Sequence, residues 1–71
     1  MSGHTAEAIV DRPVADMANV AKQVMRDDGV SITETRSQDS GAQRIFEGEK
    51  GDLDVTVTIQ RTRALLAKII R

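Results

Sequence analysis

Four groups of side chains in this 71-residue chain have types and spacings that chemistry could use. His4 is the single histidine, a residue suited to metal ligation or general-base work near neutral pH. Metal sites need several converging ligands, and His4 sits among small polar residues, so it is expected to be a solvated residue of the N-terminal segment. Glu47, Glu49, Asp52 and Asp54 surround Lys50-Gly51. Carboxylates at this density suit a hard cation such as calcium, but no Asp-x-Asp-x-Asp-Gly loop accompanies them. With Lys50-Gly51 as a two-residue turn, Glu47 is expected opposite Asp54 and Glu49 opposite Asp52. That arrangement is repulsive, and its charge discourages edge-to-edge strand pairing.

The third group closes the chain. Arg61, Arg63, Lys68 and Arg71 bring positive charge without an acid, and Leu65, Leu66, Ile69 and Ile70 are interleaved with them. Basic amphipathic segments of this kind bind anionic membranes or phosphates. A helix of about this length is marginal alone, and no aromatic residue is present here to stack on bases. The apolar four are therefore expected to dock on the domain's own core or on a second subunit, and the basic four are the candidate phosphate contacts. The fourth group is a polar strand face, Thr56, Thr58 and Gln60, with Thr33 and Thr35 near it, which could meet a partner or remain solvated.

Composition excludes much else. There is no cysteine, so disulfides, thiolate nucleophiles and cysteine-ligated metals are absent. Ten basic and eleven acidic residues leave a net charge of −1, which gives no whole-molecule field for nucleic acid. Nucleophile-elbow, phosphate-loop and dinucleotide-binding glycine patterns do not occur. No apolar run approaches the ~20 residues of a membrane span, and Met1 to Thr5 lacks the charged and apolar regions of a signal peptide. A cytoplasmic, non-catalytic protein without cofactor or bound metal is the expectation.

The elements follow from periodicity. Residues 1–5 are expected to be flexible, and residues 6–71 to form one domain. Ala6 to Val10 reads as a short strand. Asp11-Arg12-Pro13 then opens a helix, with proline in the first turn and Asp11 able to accept from a free backbone N–H. Val14, Met17, Ala18, Val20, Ala21, Val24 and Met25 share one arc of about 160°, and Gly29 fits the left-handed position that ends a helix. Val30 to Arg36 is β-branched and alternating, Ser37 to Gly41 is a turn cluster, Gln43 to Glu49 is a strand, and Leu53 to Ile59 alternates most clearly of all. Thr62 to Arg71 reads as a helix capped by Thr62, with a strand as its rival, because Leu65, Ala67 and Ile69 also alternate.

Ile9 to Met17 loosely resembles the strand–proline–helix opening of Alba-type chromatin proteins. Those carry a lysine pair where this chain has Asp11-Arg12, and the second internal helix is missing, so nucleic-acid binding is not carried over from the resemblance. The reading is an α+β two-layer sandwich, β-α-β-β-β, with three to four largely antiparallel strands, one long amphipathic helix and a short C-terminal helix or further strand. The first strand is expected beside the one starting at Val30, or at an edge. A lean core without staples favours oligomerisation. The expected function is a protein–protein interaction module that self-associates through its apolar C-terminal segment or a sheet edge. A nucleic-acid-binding dimer using the basic C-terminus is the alternative, and a small regulatory subunit docking on a larger enzyme is the third reading.

Overall fold

A computed structural model describes residues 3–61 and 63–70. The elements are β1 (Gly3–Ile9), α1 (Val14–Asp27), β2 (Ser31–Gln38), β3 (Gln43–Lys50), β4 (Leu53–Gln60) and β5 (Arg63–Ile70), with one short turn of helix at Asp39–Gly41 between β2 and β3. All five strands form a single antiparallel sheet in the order β1-β5-β4-β3-β2. Four successive antiparallel pairings place β1 and β2 at opposite edges, pointing the same way. The helix that connects them therefore crosses the sheet, giving two layers of an α+β domain.

The sheet is larger than the three to four strands expected, because residues 63–70 are a strand and not a helix. The strand alternative drawn from Leu65, Ala67 and Ile69 is the one observed; because the opposite face is largely apolar too, that alternation did not separate it from a helix. As a strand it pairs β4 along its full length and supplies the edge on which β1 lies. The cap expected at Thr62 and the contact expected at Arg71 lie outside the described residues. The first strand lies at an edge of the sheet, the second of the two placements expected, where it pairs β5 and not the strand following Val30; it starts at Gly3, three residues before the pattern suggested.

The helix ends as its sequence requires. Gly29 has φ 82°; its N–H donates to the Arg26 carbonyl, and the Val30 N–H to the Met25 carbonyl, at 3.0 and 2.9 Å. This pair of bonds is a Schellman motif, and Met25 and Val30 are both buried beside it. At the other end Pro13 is the capping residue itself, and no side chain caps the helix, so the bond expected from Asp11 does not form.

The core is Met17, Ala18, Met25, Val30, Phe46, Val55, Val57 and Ile59, with Phe46 and Ile59 its largest fully buried side chains. The β3–β4 turn is Gly51-Asp52, one residue later than expected. Lys50 stays in β3 opposite Leu53, and Gly51, with φ 59°, takes the first central position, where a type II′ hairpin favours glycine. Glu49 therefore faces Asp54, and Glu47 faces Thr56.

Candidate binding groove and open sheet edge

The helix packs on β2, β3 and β4. An α-helix is about 10 Å wide, and strands are about 4.8 Å apart, so one helix cannot cover five strands. Cross-strand partners share a face, so Val55, Val57 and Ile59 under the helix are continued on β5 by Lys68, Leu66 and Ala64, and on β1 by His4, Ala6 and Ala8. Among the described residues no second helix lies over this half of the face.

The uncovered strip and the flank of α1 enclose an open groove of about 500 Å³. Its walls are almost wholly apolar. Val20, Ala21 and Val24 come from the helix, and Val57, Ile59, Ala64 and Leu66 from the sheet. Val20 and Val24 are 53% and 59% exposed, although the helical wheel places them with the core. The apolar arc is wider than the stripe the sheet buries. Arg12 and Val10 lie at one end of the groove, and Asp28 and Lys68 at the other. The Asp28 carboxylate meets Lys50 Nζ at 3.4 Å and Lys68 Nζ at 3.8 Å. Arg12 forms no ion pair among the described residues.

The two sheet edges differ. All seven residues of β1 are exposed, and its register against β5 runs without interruption from Gly3 to Ile9. Its only acid, Glu7, is 3.6 Å from Arg63, and Ile9 is 80% exposed. The β2 edge carries a register shift between Ile32 and Glu34. It also carries a charge cluster in which Arg36 meets Glu34 at 3.1 Å and Glu47 at 3.1 Å. Bulges and charges are the devices by which proteins guard an edge. Glu47 has its pKa raised, first because a hydrogen bond with Glu34 favours the protonated carboxyl. Arg36 opposes the rise, while desolvation and the Glu34 charge add to it.

The candidate residues of the C-terminal segment are divided between faces. Leu66 and Ile70 lie on the helix side with Lys68, whereas Leu65, Ile69 and Arg63 lie on the outer face. Arg61 is in the turn before β5. The apolar four are thus not one patch, nor are the described basic residues. Thr56, Thr58 and Gln60 do share the outer face, joined by Thr5, and Thr56 and Thr58 line a shallow depression with it. Thr35 is opposite Phe46 on the helix side, and Thr33 Oγ1 donates to the Glu47 carbonyl at 3.2 Å. His4 is within β1, exposed, opposite Lys68. Among the described residues no three metal-ligating side chains converge, and no helix is long and apolar enough to cross a membrane.

Sequence reasoning missed Arg12, Val20 and Val24 as site residues. Arg12 reads only as part of the helix-opening Asp11-Arg12-Pro13, and the two valines read as core. The surplus width of the apolar arc was the one available signal. No family model, curated protein or solved structure matches the chain.

Proposed function

We propose that this chain is a non-catalytic interaction module that self-associates by pairing β1 with β1 of a second copy. The observation that carries the reading is the contrast between the edges. β1 offers an unguarded row of backbone donors and acceptors with an unbroken register, whereas β2 is bulged and charged. A two-fold axis makes such an interface self-complementary. Antiparallel pairing about that axis joins two five-stranded sheets into one of ten strands and leaves both helices on the same side. The lean core supports the reading too. Phe46 is its only aromatic, and small domains of this kind commonly draw stability from association.

Ala6 is near the middle of β1, and centring the axis there sets it opposite its own copy. Ala6→Lys then opposes two like charges across the new pairing. The substitution is on an exposed residue and spares the core. Sedimentation over a hundredfold concentration range should show a dimer for the parent chain and a folded monomer for Ala6→Lys. A parent chain that remains monomeric, or a variant that still dimerises equally well, refutes the reading.

A further inference from the structure

We infer that the groove between α1 and the β4–β5 face binds a single-chain amphiphile with an anionic head, its hydrocarbon tail lying between Val24 and Leu66 and its head at Arg12. This does not rest on self-association, since the groove opens on the face of the sheet and the β1 edge lies in its plane.

Three features define the occupant. First, the space is ligand-sized. About 500 Å³ is within the range of ~300–1,000 Å³ for small-molecule sites. From Ala64 to Lys68 the β5 floor runs roughly 13 Å at the usual strand rise. Second, the lining selects a tail. Apart from Arg12, Asp28 and Lys68, every lining residue is apolar. A peptide backbone laid along the floor would bury donors and acceptors without partners, at a cost of several kcal/mol each on apolar transfer scales. Phe46 is not in the lining, so no aromatic face invites a flat ring. A methylene chain needs no partner, and it would take Val20 and Val24 out of water.

Third, the rim selects the charge of the head. At the far end one carboxylate, Asp28, is already held between Lys50 and Lys68, so it is committed to cations the chain itself supplies. At the near end Arg12 has no such partner among the described residues. A guanidinium offers a planar fork of donors that matches a carboxylate. The rim charge not already paired within the chain is therefore the arginine.

The test is titration of the full chain with dodecanoate below its micelle concentration, followed by calorimetry and by backbone amide shifts, with dodecanol as the neutral control. The expected result is saturation at one dodecanoate per chain, with the largest shifts at Val24, Ala64 and Leu66. Dodecanol should bind at least tenfold more weakly. Arg12→Gln should lower dodecanoate affinity about tenfold, the scale of one charge-assisted contact, and leave dodecanol unchanged. Val24→Asp should abolish both. Non-saturating uptake, shifts outside the groove, or equal affinity in Arg12→Gln overturns the proposal. So does a fall in solution mass on Val24→Asp without dodecanoate binding to the parent, which would make a second copy the occupant. Arg12 is exposed, so the comparison with Arg12→Gln decides even if Val24→Asp does not fold. Failure of β1 pairing would show in sedimentation alone and leave this binding intact.

Discussion

Gly48 shows how closely single atoms set the geometry of this sheet. A Cβ built on it would come 2.6 Å from Val30 Cγ1 and 2.7 Å from the Ser31 carbonyl oxygen. The clash is partly with backbone, so no rotamer relieves it. Gly48 also lies opposite Ile32, where the β2 register shifts. Gly48→Ala should destabilise the fold by about 1–3 kcal/mol, the usual range for overpacking, as a lower denaturant midpoint. An unchanged midpoint would show that β2 can move away freely. Glu47 provides a second residue-scale check. Its raised pKa means that the folded chain binds more protons than the unfolded chain between the ordinary carboxylate value and the folded one. Stability therefore falls as pH rises through that window, and the loss is complete above it. Glu34→Gln removes a negative charge and the carboxyl partner. The Glu47 carboxyl, followed by NMR titration, should then move down toward its ordinary value; a midpoint that stays high would place the cause elsewhere.

Among the elements, the β2–β3 connection is the most strained. Asp39, Ser40 and Gly41 have φ of 53°, 56° and 89°, so two residues with side chains occupy the left-handed region beside the glycine. Aspartate tolerates this better than most residues, but serine has less reason to be there. Ser40→Gly relieves the steric cost and should raise stability by up to about 1 kcal/mol, seen as a higher melting temperature. A loss of stability would mean that the serine side chain holds the turn. The sequence made some elements legible and hid others for physical reasons. Leu53 to Gln60 has one buried and one wet face, so its alternation was clear. The helix announced itself by its apolar arc and by Gly29. Residues 63–70 carry apolar side chains on both faces, so the alternation of Leu65, Ala67 and Ile69 stands out little from its neighbours, and the helix propensity of alanine and leucine outweighs it. Turn position slipped by one residue because Lys50 pairs Leu53 and continues the strand, leaving the positive-φ position to Gly51. The candidate groove was hidden for a related reason. A wheel shows which residues share a side, but not how much of that side a neighbouring sheet covers.

At the scale of the whole molecule, the sheet has outgrown its single helix. One consequence is the groove, and the other is an edge strand with no further strand beyond it among the described residues. A five-stranded sheet with one guarded and one unguarded edge is asymmetric in the way expected of a chain that pairs with itself on one side only. The most direct test is amide hydrogen exchange along β1 at high and low protein concentration. In an isolated chain, N–H groups of β1 alternate between pairing with β5 and pointing into solvent, so alternate amides should exchange freely. The account predicts that at high concentration every amide from His4 to Ile9 within the β1–β1 pairing is protected, and that the outward set loses protection on dilution or in Ala6→Lys. Outward amides that exchange freely at every concentration would contradict it, whatever the mass of the particle in solution.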